Sequence, residues 1–241
     1  MSQEAEAPEV EHLRRGEMAV AGLVPWGSNY TFLVEIEDGP VTMQAIYKPQ
    51  RGERPLWDFE SGTLCLRERA AYLLALELGW RCVPPTILRD GPHGYGSVQL
   101  YIEHDPDENY FTFQGRFADQ LQQIQLLDVI INNADRKGGH ILLDAEDHLW
   151  AIDHGVCFHA QYKLRSVLWE FAGLPVPEPL LTKLRRLQTS LADGGHPLRR
   201  EMLTLLSKRE MAALGTRTAR ILETGVYPEP GPGRPYPWPL V

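Results

Sequence analysis

The stretch that most constrains this chain is residues 127–158, where two acidic residues each close an apolar run. Asp135 follows the run that ends at Ile131, and Asp153 follows Leu149-Trp150-Ala151-Ile152. Between them lie Ile141-Leu142-Leu143 and a polar turn from Asp144 to Asp147. Apolar run, turn, apolar run reads as a β-hairpin, and pairing brings its two open ends together. Both carboxylates should then face one pocket. Two converging carboxylates call for a positive charge between them, most often a divalent metal. From the hairpin alone, two solvated acids explain the pattern equally well.

A chain of 241 residues with 43% hydrophobic residues suits one large domain or two lobes sharing a cleft. Its net charge of −8, without a basic stripe, argues against general nucleic-acid binding. Cys65, Cys82 and Cys157 form neither a disulfide framework nor a zinc pattern, so the expected compartment is the reducing cytoplasm. The N-terminal residues are acidic and polar with no signal-peptide core, and no apolar run approaches a membrane span. Stable membrane insertion is therefore not expected.

Taken in order, residues 1–15 are expected to be a flexible N-terminus. Strands are expected at 16–24, 30–37 and 41–48, the first two joined by Pro25-Trp26-Gly27-Ser28-Asn29. A turn of this kind offers backbone N–H groups to an anion, although Gly-Ser-Asn is also ordinary hairpin chemistry. Val41, Met43, Ala45 and Tyr47 alternate onto one face, and Lys48 ends the strand. Apolar spacing predicts a helix over 64–78, stopped by Gly79, with Glu68 placed to face Lys48. Strand character returns over 83–88 and 96–103 before His104-Asp105-Pro106-Asp107 breaks the pattern. Helices are expected at 117–131, 164–171, 178–191, 197–206 and 208–223. A tail with Pro at nearly every second position from 228 to 239 should be extended or disordered, with an extended tail packed on the body the leading expectation. It is also a candidate segment for a Pro-recognising protein partner.

The parts gain meaning from their order. Gly27-Ser28-Asn29, Tyr47-Lys48-Pro49, Glu68-Arg69-Ala70-Ala71-Tyr72-Leu73, Val83-Pro84-Pro85-Thr86, Gly96-Ser97-Val98-Gln99-Leu100, Asn133-Ala134-Asp135-Arg136 and Ile152-Asp153-His154-Gly155 resemble the successive motifs of the protein-kinase-like fold. The resemblance is to its atypical branch: type II phosphatidylinositol 4-kinases, secretory-pathway kinases, HipA-type kinases and bacterial phosphatidylinositol 3/4-kinase-like proteins. It extends over about residues 16–225 and implies an α+β, two-lobed fold. The implied N-lobe is small and β-rich with one helix (16–104), the C-lobe mainly α (105–225), and the Pro-rich tail covers 226–241.

The resemblance also implies roles. ATP and Mg²⁺ or Mn²⁺ would be the cofactors, and a hydroxyl-bearing acceptor would receive the γ-phosphoryl group. Asp135, with Arg136 beside it, would be catalytic, and Asp153 would hold the metal. Lys48, positioned by Glu68, would hold the phosphates beneath Ser28 and Asn29. Gln99, Tyr101, Ile102 and Glu103 would line the adenine pocket. One departure stands out: the family's second metal ligand is an Asn five residues after the catalytic Asp, and here that position is His140. Imidazole suits Mn²⁺ better than Mg²⁺. The same residue keeps open an ATP-binding module without catalysis, and AMP transfer on the same fold is a further alternative. Few residues separate Asp153 from Leu164, so a peptide groove is not expected, and absence of an amphipathic membrane helix ranks a lipid acceptor below a protein or small molecule. His140, His154 and His159 match no zinc spacing, and Cys157 between Val156 and Phe158 reads as a buried thiol.

Overall fold

The computed structural model describes residues 7–24, 29–113 and 115–241. Its N-lobe is a five-stranded antiparallel sheet in the order β1-β2-β3-β5-β4, made of β1 (Glu17–Leu23), β2 (Phe32–Asp38), β3 (Val41–Pro49), β4 (Thr86–Gly91) and β5 (Gly94–Leu100). Gly39, at φ +64°, lets β2 turn into β3 through a two-residue loop, a conformation that costs glycine little. Strand alternation sends Ala45 and Tyr47 into the core and Lys48 to the opposite face. Lys48 pairs with Ser97 on β5, and a side chain at the neighbouring Gly96 would strike the Lys48 carbonyl.

Helix α2 (Leu64–Glu77) crosses from the sheet to the C-lobe and is buried almost all round. Such a helix carries charge only where each charge is paired. Arg67 donates to the Cys157 carbonyl at 2.7 Å and to Glu210 at 2.6 Å; Arg69 donates to the Thr86 carbonyl at 2.7 Å and to Glu201 at 2.9 Å. The C-lobe contains α3 (Tyr110–Phe113), α4 (Ala118–Ile131), the hairpin β6 (Ile141–Leu143) and β7 (Leu149–Ala151), then α5 (Glu178–Ala192), α6 (Pro197–Leu205) and α7 (Lys208–Thr224). Glu210 also closes the capping box of α7 with Ser207, so one carboxylate starts that helix and ties α2 to it. Buried side chains run continuously from the sheet through α2 and α4 to α5–α7. Among the described residues, no helix is long and apolar enough to cross a membrane.

Two expectations are corrected. Residues 8–15 are not a loose end but a helix, α1 (Pro8–Arg15), whose Val10 and Leu13 are fully buried. Acids in its first turn and bases in its last suit the helix dipole, and Arg89 donates to the carbonyls of Leu13 and Gly16 at its end. Only two of its residues are anchored in the core, too few for apolar periodicity to reveal it.

The second correction concerns 164–171, which is not helical. Leu164, Val167, Leu168 and Phe171 are buried at helix-like spacing, but the backbone bonds outward. Arg136 N donates to Arg165 O at 3.0 Å, Val167 N to Arg136 O at 3.1 Å, and Ser166 N to Pro235 O at 2.9 Å. The Pro-rich tail supplies that last carbonyl. It lies without regular structure along the C-lobe, held first by the buried Tyr227, whose hydroxyl donates to Gln122 O at 3.1 Å.

Candidate functional site

Three elements meet at Lys48. β3 delivers the ammonium, α2 delivers Glu68, and the loop after β7 delivers Asp153. Lys48 Nζ lies 2.5 Å from Glu68 Oε1 and 2.9 Å from Asp153 Oδ1. Burial acts to strip the Lys48 proton, but Asp153 and Glu68 outweigh it and hold the group above its ordinary value. Lys48 in turn holds the Asp153 carboxyl far below the usual carboxylate range, against the partial desolvation of the cleft wall. The second Glu68 oxygen accepts from the His154 backbone N–H at 2.9 Å, tying α2 to the residue after Asp153. Asp153 itself sits at φ +60°, which non-glycine residues adopt rarely and Asp more readily than most. Its side chain stays 47% exposed, open to the cleft.

Asp135 stands on the loop between α4 and β6. The Asn133 side chain accepts its backbone N–H at 3.0 Å, which sets the loop's course. Burial raises its carboxyl to about 6; Lys137, 3.4 Å away, opposes the rise and Asp153 adds to it. Arg165 is the other cation acting on it. An acid that changes charge near neutrality is suited to taking a proton from a hydroxyl. Lys137 is a site residue that the sequence reading passed over, although its place two residues after Asp135 was signal enough.

His140 Nε2 lies 3.4 Å from Asp153 Oδ2. Burial brings its pKa down to about 4, with Asp153 opposing, so the ring is neutral at physiological pH and has a lone pair to offer. Its Nδ1 is buried without a hydrogen-bond partner. The separation of the two donors is close to the ~3 Å expected of neighbouring ligands on one small divalent ion. Among the described residues, no group of three or more His, Cys, Asp or Glu side chains forms a metal cage. Asp153 and His140 are two donors that could serve an ion taking its other ligands from phosphate and water, as Mg²⁺ and Mn²⁺ do.

Arg136, expected beside Asp135 as a catalytic residue, has no exposed surface. Its guanidinium bonds Asp128 through Nε at 2.9 Å and Nη2 at 3.0 Å, and Nη1 donates to the carbonyls of His140 (3.1 Å) and Ile152 (2.7 Å). Nη2 also lies 2.8 Å from His154 Nε2. Guanidinium only donates, so that nitrogen must be the acceptor and His154 is neutral, consistent with burial and Arg136 lowering its pKa. Arg136 thus locks the stems of Asp135, His140 and Asp153 together and reaches no open space. Asp128 was also missed; its signal was a lone acid inside the apolar run of α4.

The expected adenine and phosphate contacts are dispersed. Ser28 falls outside the described residues. The Asn29 side chain accepts the Arg54 N–H at 2.7 Å, linking the turn to the loop after β3. Gln99 is buried and its amide donates to Thr86 Oγ1 at 2.8 Å, so it braces β4 against β5. Tyr101 N–H is committed to Gln44 O at 3.0 Å, and the Ile102 carbonyl faces His104 Nδ1 at 2.8 Å. Glu103 is exposed just beyond, where the chain passes between the lobes.

Against known proteins, the family model described as phosphatidylinositol 3- and 4-kinase matches residues 21–196. Protein Rv2133c of Mycobacterium tuberculosis is 38% identical, the alignment covering 94% of this chain and 93% of that protein. Phosphatidylinositol 4-kinase gamma 4 of Oryza sativa is 32% identical over 45% of this chain, which spans only 22% of the plant protein. Among solved structures, the Helicobacter pylori proinflammatory kinase CtkA superposes with a TM-score of 0.49 at 11% identity, covering 88% of this chain and 93% of that one.

Proposed function

Since the chain belongs to the phosphatidylinositol 3- and 4-kinase family, we propose that it binds ATP with a divalent metal and transfers the γ-phosphoryl group to a hydroxyl acceptor. The observation that carries this reading is the row of charges Glu68–Lys48–Asp153, with Asp135 on the facing loop. Phosphoryl transfer needs positioning and charge neutralisation more than covalent chemistry, and these groups supply both.

Lys48 turns its ammonium from Asp153 toward the α/β-phosphates, while Glu68 keeps its direction. Asp153 and His140 would hold the divalent ion, which would supply charge neutralisation to the phosphates when bound. Asp135 accepts the acceptor's hydroxyl proton, and Lys137 sits where it can steady the transferred group. The backbone at Ser28-Asn29 covers the phosphates, and the main chain of Ile102 and Glu103 meets the adenine edge; the Tyr101 N–H is already used. Arg136 acts by positioning the loops. We place the acceptor among proteins or small molecules ahead of inositol lipids, and the site in the cytoplasm.

Thermal unfolding with ATP and Mg²⁺ or Mn²⁺ tests the nucleotide half: the expected result is a Tm rise with ATP and metal together that the Lys48→Met variant loses. No rise with any nucleotide–metal pair sinks the proposal. ATP labelled on the γ-phosphate should label the acceptor and ATP labelled on the α-phosphate should not; the reverse means AMP transfer. A neutral imidazole in place of an amide oxygen predicts higher turnover with Mn²⁺ than with Mg²⁺, and His140→Asn is expected to shift that preference toward Mg²⁺. Equal turnover with both ions in the unaltered protein would count against His140 as a ligand.

A further inference from the structure

The tail's composition biases its backbone toward accepting hydrogen bonds. Proline has no N–H, so a segment with Pro235, Pro237 and Pro239 offers its surroundings mainly carbonyls. Those carbonyls are used at two places beside the candidate catalytic loop. Pro235 O accepts from Ser166 N at 2.9 Å and from Trp169 Nε1 at 3.2 Å. Leu240 O accepts from Gly138 N at 2.7 Å.

Gly138 opens the 3₁₀ turn Gly138–His140, and it is buried. The first N–H groups of any helical turn have no partner within it, and a buried one must find its acceptor elsewhere. Here Leu240 provides it. The packing is close here: a Cβ at position 138 would lie 2.7 Å from the Phe111 ring, and position 139 stands at ordinary contact distance from Val241, 3.6 Å. The Gly138 carbonyl accepts from Ile141 N at the end of the turn, and Ile152 N donates to His140 O at 3.0 Å. Tail, turn and hairpin are therefore bonded in series, with Asp135 and Lys137 just before the turn and His140 within it. Ser166, the other anchor, is bridged in parallel to Arg136. Among the described residues, no hydrogen bond or ion pair joins the tail to Lys48, Glu68 or Asp153.

We infer that residues 234–241 are a positioning element for the loop carrying Asp135, Lys137 and His140, acting through the Gly138 N–H. The catalytic part of the inference rests on the phosphotransferase reading; the mechanical part does not. The prolines restrict the free tail and lower the entropy lost on docking, so a short segment can hold the turn.

The test compares the full chain with one shortened after Gly233, by hydrogen exchange without nucleotide and then by steady-state kinetics. Shortening should speed amide exchange across 136–141 by about tenfold or more, while α2 around Glu68 is unchanged. kcat should fall about tenfold and ATP–Mn²⁺ affinity should weaken with it, since His140 lies in the same turn, and a peptide of residues 234–241 added in trans should restore exchange, affinity and kcat. Unchanged exchange at 136–141 overturns the inference. A rise in kcat also overturns it, since the tail would then be an obstruction. Should shortening loosen the whole C-lobe, Trp169→Phe, which removes one bond to Pro235, decides: faster exchange confined to 136–141 and 164–169 supports the inference, and no change there refutes it. A full chain with tail-dependent exchange but no turnover would refute the phosphotransferase reading alone.

Discussion

Replacing Asp135 by Asn is expected to lower phosphoryl transfer about thousandfold, the middle of the range for loss of a general base. ATP–metal affinity should change by less than about threefold, because Lys48, Glu68 and Asp153 are left as they are. Single-turnover kinetics beside equilibrium titration separates the two. A large loss of affinity would make Asp135 a metal ligand; normal turnover would remove it from the reaction.

The same carboxyl predicts a pH profile. Burial, resisted by Lys137, raises Asp135 from 3.8 to about 6, so kcat should fall as pH drops through about 6. The sign for stability is opposite to that of an ion-paired acid. Below the unfolded value, both states carry the proton and no penalty exists. Between 3.8 and about 6 the unfolded chain releases it while the folded one keeps it, so stability falls as pH rises through this window. Above about 6 the penalty is complete. Asp135→Asn should thus be as stable as the unaltered protein at pH 7 or more so, while nearly inactive. A clear drop in Tm at pH 7 would contradict the environment described for this carboxyl.

Replacing Arg136 by Met is expected to cost about 3–5 kcal/mol, because it strands Asp128 in the core and leaves the His140 and Ile152 carbonyls without their donor. For a chain of this size that is a Tm fall of about 6–20 °C. The double change Arg136→Met with Asp128→Leu removes both charges and should recover part of the loss. A residue that touched substrate would behave otherwise: Arg136→Met would cut turnover and leave Tm alone. Thermal unfolding of the single and double variants distinguishes structural lock from substrate contact.

Lys48, Glu68, Asp135 and Asp153 were readable because each stands at a marked point on a periodic element. Lys48 ends an alternating strand, Glu68 sits beside a helical stripe, and the two aspartates close apolar runs. Local pattern places such residues, and their order along the chain implies the two-lobed fold. His140 carries no such local mark; only the family resemblance, which puts an Asn at its offset from Asp135, singled it out. The segment 164–171 misled because buried residues at three- and four-residue spacing look helical whether or not the backbone bonds to itself. There the amides and carbonyls are taken by Arg136, Asn133 and Pro235.

The sequence by itself determined the alternation of β3 and the helicity of α2 and α4, all properties of near neighbours. Only the tertiary structure decided what each charge bonds. Arg136 is adjacent to Asp135 in the chain, yet its partner is Asp128 inside α4, and it ties the neighbouring loops together from within the core. Arg67 finds Glu210 across 143 positions, and Gly138 finds Leu240. A buried charge or amide must be satisfied wherever the fold brings a partner within bonding distance, and that is set by packing between distant segments, which local pattern does not encode.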